Sequence, residues 1–303
     1  MRLKAPDNVP DQFRHVLVSA RPDLADATFA IAGRGFDSIA VDIGGRYIAK
    51  FPEGPEAEAA LRREAAILAL VRPLLTMPVP DMRLIEGPPL LSLHPLLAGD
   101  VLEREHYRNL TPAERDRLGG DLARFLAELH RIGRQELAAA GAEAVGLWDT
   151  EEATLAPVWP TLPADLRREG ETALAAYRAL DPDPHGEVYG FFDAHGWNMA
   201  FDHAAGRLAG IFDFGDSGFG PVHREFVPVS FIDPDLTLRA MRSYAALTGR
   251  RIDPLRVFLL TSAMLASELA GARETGVDED AVRANLVAWL AGRDAFVKGG
   301  GEG

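Results

Sequence analysis

The hydrophobic pattern changes character about a third of the way along the chain. Thr28–Ile31, Ser38–Ile43 and Arg46–Phe51 are short runs rich in β-branched and aromatic residues, which predict strands. Gly33 and Gly35 interrupt the first pair, and Gly44-Gly45 supplies a hairpin turn for the second. Residues 56–71, EAEAALRREAAILALV, put Leu61, Ala65 and Leu68 at helical spacing and stop before Pro73. Met82–Ile85 and Leu90–Leu93 read as two further strands around the turn at 86–89. After residue 95 helices take over. Pro112–Ile132 carries Leu118, Leu122, Phe125, Leu126 and Leu129 on one face. Ala164–Leu180, Leu236–Leu247, Pro254–Thr275 and Glu279–Val297 continue the helical pattern, and the tail from Lys298 is expected to fray. Three short strands fall among them, at Val188–Phe192, Met199–Asp202 and Arg207–Phe212, the last two joined by a turn at 203–206. The expectation is an α+β chain: a small antiparallel sheet with one helix over residues 1–95, and a larger, mainly helical part over 96–303.

Composition narrows this picture. The 303 residues include no cysteine, which removes disulfides, thiolate nucleophiles and Cys-based metal sites. The 47% hydrophobic and 25% charged fractions are those of an ordinary globular protein. No apolar run of membrane-spanning length stands out and the first residues lack a signal-peptide core, so a cytosolic protein is expected, as a monomer or weak dimer, with no membrane partner. The net charge of −13 falls almost wholly after residue 95. Such a field repels nucleic acid and attracts a cationic ligand, although acid excess also serves solubility alone.

The chemistry concentrates in FFDAHGWNMAFD (191–202) and GIFDFGDSG (210–218). A hairpin between Met199–Asp202 and Arg207–Phe212 brings Asn198 and Asp213 to one end, near Asp193. That gathers two carboxylates and an amide oxygen, the hard ligands Mg²⁺ takes alongside phosphate oxygens. Phosphoryl transfer asks for such a set: a carboxylate to orient the attacking hydroxyl, and metal to neutralise the phosphates.

Asp193 followed by Asn198, then Asp213-Phe214-Gly215, resembles the catalytic and metal motifs of protein-kinase-like folds, and FDFGDSG most resembles the aminoglycoside phosphotransferase family. GRGFDSIAVDIGGRYIAKFP (33–52) is similar to that family's nucleotide-covering hairpin and phosphate-binding lysine, most like the branch acting on gentamicin-type 2-deoxystreptamine antibiotics, the 2''-phosphotransferases. The recognisable motifs cover about residues 28–100 and 188–230. The resemblance implies a bilobal protein-kinase-like fold using ATP or GTP with Mg²⁺. It makes Asp193 the catalytic base and gives Asn198 and Asp213 to the metal. Lys50, paired with Glu64, would hold the α- and β-phosphates; the alternatives are a strand-end lysine reaching solvent and a surface glutamate near arginines. Gly33, Gly35 and Ser38 would cover the phosphates, and the backbone near Ser92 and His94 would meet the purine.

One position departs from the family: Phe191 stands where a histidine usually precedes the catalytic aspartate by two. The acceptor implied is a cationic small molecule, foremost an aminoglycoside. Asp216, His195, Glu225, Asp233, Asp235 and Glu268 are the residues expected to face it, each with a plain alternative as a surface acid, helix cap or packing histidine. A kinase of choline, homoserine, a fructosamine or a macrolide keeps the same chemistry with another acceptor, and a nucleotide-binding pseudokinase keeps the fold without turnover.

Overall fold

The computed structural model describes residues 9–35 and 38–301; residues 1–8, Phe36 and Asp37 of the glycine loop, and the last two residues lie outside it. The first lobe comprises α1 (Asp11–Ala20), β1 (Phe29–Arg34), β2 (Ser38–Ile43), β3 (Tyr47–Pro52), α2 (Pro55–Val71), β4 (Arg83–Ile85) and β5 (Leu91–Pro95). The strands form one antiparallel sheet in the order β1-β2-β3-β5-β4. Side chains alternate across it as a two-residue period demands. Ile39, Val41, Ile43, Ala49, Phe51, Leu91 and Leu93 fill one face and are covered by Phe13 and Leu17 of α1. Phe13 stacks on Phe51 at 3.8 Å between ring centroids. The opposite face, with Ala40, Lys50, Ser92 and His94 in register, looks toward the second lobe. The helix α1 was not legible in the pattern, because it buries only Phe13 and Leu17.

The second lobe follows with α3 (Arg104–Arg108), α4 (Pro112–Leu129), α5 (Arg134–Ala139), α6 (Glu152–Leu155), α7 (Ala164–Arg178), β6 (Glu187–Gly190), β7 (Met199–Asp202), β8 (Arg207–Ile211), β9 (Gly218–Pro221), α8 (Pro234–Thr248), α9 (Pro254–Thr275), α10 (Glu279–Ala291) and α11 (Arg293–Gly301). A capping box starts α4: the Thr111 hydroxyl accepts from the Glu114 N–H, and the Glu114 carboxylate accepts from the Thr111 N–H at 2.8 Å. Its apolar face, Leu118, Leu122, Phe125, Leu126 and Leu129, is fully buried in the main core, which α2 also joins. The β7–β8 hairpin forms in the expected register, Met199 opposite Ile211. β6 pairs with β9, a strand the pattern did not suggest because it is built from Gly218, Phe219, Gly220 and Pro221.

Three expectations change. The helix predicted over Glu279–Val297 is two helices, parted at Gly292. The tail does not fray at Lys298 but stays helical to Gly301, and Gly300 packs so close to Pro254 that a Cβ there would meet the ring at 2.6 Å. Among the described residues, α9 is long and apolar enough to cross a membrane, yet it is a core helix: it packs on α7, α10 and α11 and buries Phe258, Leu265 and Leu269.

Candidate active site

Lys50 enters the cleft from β3 with only 13% of its side chain exposed. Its Nζ lies 2.9 Å from Glu64 Oε1 on α2 and 2.9 Å from Asp213 Oδ1, just past β8. Burial works against the ammonium charge, but the two flanking carboxylates outweigh it and hold the lysine above its ordinary pKa. Glu64 is buried and also accepts from the Phe214 N–H at 3.1 Å, so one carboxylate ties the lysine strand to the segment after β8. Asp213 adopts φ 70, a left-handed conformation that a non-glycine residue holds only against a cost of about 1–3 kcal/mol. Lys50 keeps its carboxyl below the usual range.

The second half of the site is the loop between β6 and β7. Asn198 Nδ2 donates to Asp193 Oδ2 at 2.5 Å and to the Asp193 carbonyl at 3.1 Å. That orientation commits the amide nitrogen and leaves Oδ1 as the available ligand atom. His195 Nε2 sits 3.2 Å from Asp193 Oδ1. Burial, reinforced by the Asp213 charge, pushes Asp193 up to about 6. Burial pushes His195 down to about 4, so its ring is neutral at pH 7. The Phe212 N–H donates to the Asn198 carbonyl at 3.0 Å, which locks the loop to the end of β8. Trp197 projects beside His195 with half its surface exposed, its ring 5.2 Å from the imidazole.

The loop is braced from behind. Glu225, expected at the acceptor, is fully buried and accepts from the Phe191 N–H at 2.8 Å and the Phe192 N–H at 2.9 Å. His130 stands 3.1 Å from the same carboxylate and 2.8 Å from the Tyr244 hydroxyl. Gly190 makes this possible, since a Cβ there would fall 1.9 Å from Glu225 Oε1. Phe191, the residue that departs from the family, has no solvent exposure and packs edge-on to Phe125 at 5.6 Å and against Phe214 at 4.9 Å. An aromatic cluster therefore stands where a histidine is usual, and the loop remains anchored.

The other expected residues divide in the same way. Ser92 and His94 lie in the cleft with Lys50. Gly33 has open space where a Cβ would sit, and the Gly35 N–H donates to the Ser38 carbonyl at 2.9 Å across the hairpin turn. Asp216 is exposed and electrostatically felt by His195 and Arg224. Asp233 caps α8 and meets Arg108, while Asp235 accepts from the Tyr107 hydroxyl and Arg239. Both are committed to holding α8 in place and not to the cleft. Burial raises the pKa of Glu268 on α9. The segment before α6 was missed altogether. Val145 pairs with Phe219, and Arg224 lies 4.2 Å over the Trp148 ring and 5.9 Å over Phe192, so this segment lines the flank of the loop.

These elements, a five-stranded sheet with a helix-borne glutamate over a helical lobe, define a bilobal kinase-like protein. The model of the phosphotransferase enzyme family matches residues 26–258, and the chain belongs to that family. The resemblance read from the motifs is thereby borne out. No curated protein matches the sequence. Similar solved structures include the GDP and kanamycin complex of APH(2")-IIia, at 18% identity and TM-score 0.77, covering 94% of this chain and 99% of that one. The gentamicin–APH(2")-IIa complex matches at 18% identity and TM-score 0.66, over 94% and 97% of the two chains. The macrolide 2'-phosphotransferase MphH from Brachybacterium faecium, as apoenzyme, matches at 20% identity and TM-score 0.62, over 92% and 97%. At these identities the likeness is one of fold.

Proposed function

We propose that the protein is a nucleotide-dependent kinase that phosphorylates a hydroxyl of a cationic small molecule, foremost an aminoglycoside. The observation that carries this is the meeting of Lys50, Glu64 and Asp213 with the Asp193–Asn198 loop across one cleft. Lys50, held by Glu64, binds the α- and β-phosphates, and Gly33, Gly35 and Ser38 cover them. Asp213 and the free Oδ1 of Asn198 suit Mg²⁺, which takes one or two protein oxygens and fills its shell from water and phosphate. When bound, that ion neutralises charge on the phosphates. Asp193 accepts a hydrogen bond from the acceptor hydroxyl, turns its lone pair toward the γ-phosphorus, and takes the proton as the new P–O bond forms and the bond to the β-phosphate oxygen breaks. Its environment supports the role: near its pKa of about 6 a carboxylate is ionised at pH 7 yet basic enough to take a proton. Asp216 and the exposed face of Trp197 wall the acceptor side, in keeping with the acidic second lobe and the kanamycin and gentamicin complexes of the similar structures.

The pseudokinase alternative rests on Phe191 and on the sparse glycine loop; the packing of the Phe191 ring against Phe214 weakens the first of these. The test is nucleoside-diphosphate release with ATP and with GTP over a panel of aminoglycosides, macrolides, choline and homoserine. Acceptor-dependent release with an aminoglycoside is expected. Release only with an uncharged acceptor overturns the choice of acceptor, and nucleotide binding without release from any acceptor overturns the kinase reading.

A further inference from the structure

The cleft face of the sheet carries Ser38 and Asp42 on β2 and, on β3 and β5 beside them, Lys50, Ser92 and His94 in neighbouring register. Lys50 pairs with Ser92, and Ile48, two residues earlier on β3, pairs with His94. Directly opposed residues share a face, so the Ser92 and His94 side chains point the same way as Lys50. The lysine finds Glu64 and Asp213 there. Ser92 and His94 find far less: the Ser92 hydroxyl is fully buried with no hydrogen-bond partner, and His94, 5% exposed, makes one contact, from Nδ1 to the Pro95 carbonyl at 3.0 Å.

That contact fixes the chemistry of the ring. A carbonyl oxygen only accepts, so Nδ1 carries the proton and Nε2 of the neutral imidazole is a bare acceptor. Burial keeps the ring neutral by disfavouring its charged form. His94 also stands two residues along β5 from Ser92, the register partner of Lys50. That is a displacement of about 7 Å toward the connection between lobes, the direction in which the base would extend from phosphates held on Lys50.

We infer that His94 selects adenine over guanine nucleotides by presenting Nε2 to the 6-position of the purine. This rests on the cleft being the nucleotide site proposed above. The 6-amino group of adenine donates to that lone pair. The 6-oxo group of guanine meets it lone pair to lone pair. Moving the proton to Nε2 does not relieve the clash, because Nδ1 would then face the Pro95 carbonyl with no hydrogen between them. The discrimination is built from one hydrogen bond that can form with only one base.

The test is calorimetric binding of the β,γ-imido analogues of ATP, ITP and GTP, with Mg²⁺, to the full chain and to His94→Leu. ITP carries adenine's ring with a 6-oxo group and no 2-amino group, so it isolates the 6-position. The wild-type protein is expected to bind the ATP analogue about tenfold or more tightly than the other two, the ratio one hydrogen bond of about 1.4 kcal/mol supplies. In His94→Leu that ratio should fall to within about threefold while the ITP affinity changes little. A purely structural histidine would weaken all three together. Equal wild-type affinities, or a ratio the variant leaves unchanged, overturn the inference. Failure of every analogue to bind overturns the nucleotide site itself. Should His94→Leu not fold, ¹⁵N spectra of the unaltered protein decide: a bare Nε2 whose shift moves on binding the ATP analogue supports the assignment, and a protonated Nε2 overturns it.

Discussion

Asp193 and Glu225 show how differently two acids of one site can act. Asp193 lies at the mouth of the cleft, a quarter exposed, with its oxygens beside Asn198 and His195. Asp193→Ala should lower kcat about 10²- to 10⁴-fold, the range a positioned general base contributes, while the nucleotide dissociation constant holds. Single-turnover kinetics and titration separate the two. Glu225 never meets solvent and spends both oxygens on backbone N–H groups. In Glu225→Gln one of those donors faces an amide NH₂ instead of an oxygen. The expected cost is about 2 kcal/mol of unfolding free energy, with a fall in kcat and an unchanged fold by far-UV circular dichroism. The spacing of Asp193, Asn198 and Asp213 was readable because phosphoryl chemistry fixes that spacing locally. The place of Glu225 was not, since a sequence shows that a residue is acidic and not which way the backbone turns it.

At the scale of elements, the run Asp181-Pro182-Asp183-Pro184 between α7 and β6 is a clamp. Asp183 Oδ2 accepts from the His223 N–H at 2.9 Å and from His223 Nδ1 at 2.7 Å, and Oδ1 accepts from the His185 N–H. His223 Nε2 in turn accepts from the Asp253 N–H at 3.0 Å, at the start of α9. One carboxylate thus joins the approach to β6, the segment after β9 and α9. Despite burial, these bonds draw Asp183 from 3.8 down to about 2, which corresponds to roughly 2 kcal/mol. The folded pKa is the lower one, so this stability is present above pH 4 and drains away as pH falls toward 2. Denaturant titrations should show that loss in the wild-type chain and a flatter profile in Asp183→Asn, which starts less stable at pH 7. Strands and long helices were legible where residues repeat with one period. β9 and α1 were hidden, the first by two glycines and a proline, the second by offering too few apolar positions. The break at Gly292 was also missed, since the apolar period continues across it.

For the whole molecule, the charge of −13 is the property that acts at a distance. Its seat is the second lobe, which carries the acceptor side of the cleft in the function proposed above. A polycation should therefore arrive faster at low ionic strength, and kcat/KM for an aminoglycoside should fall steeply as salt rises from 10 to 300 mM, through about the range in which the Debye length contracts from 30 to under 8 Å. The same titration with homoserine, which carries no net charge, should be nearly flat. The bilobal plan was visible as a change in hydrophobic period near residue 95. The burial of α2 in the main core was not, because helical spacing shows which face is apolar and not which partner covers it.

The brace behind the Asp193 loop has a consequence for how the protein comes apart. The amide hydrogens of Phe191 and Phe192 end on a carboxylate that water does not reach, and the Phe191 ring is packed between Phe125 and Phe214. Those two hydrogens can exchange with deuterium only when the core itself opens, so their exchange should report the global unfolding free energy. Many enzymes lose activity on warming before they melt, because the site is the softest part. Here the loop that carries Asp193 should survive as long as the molecule does.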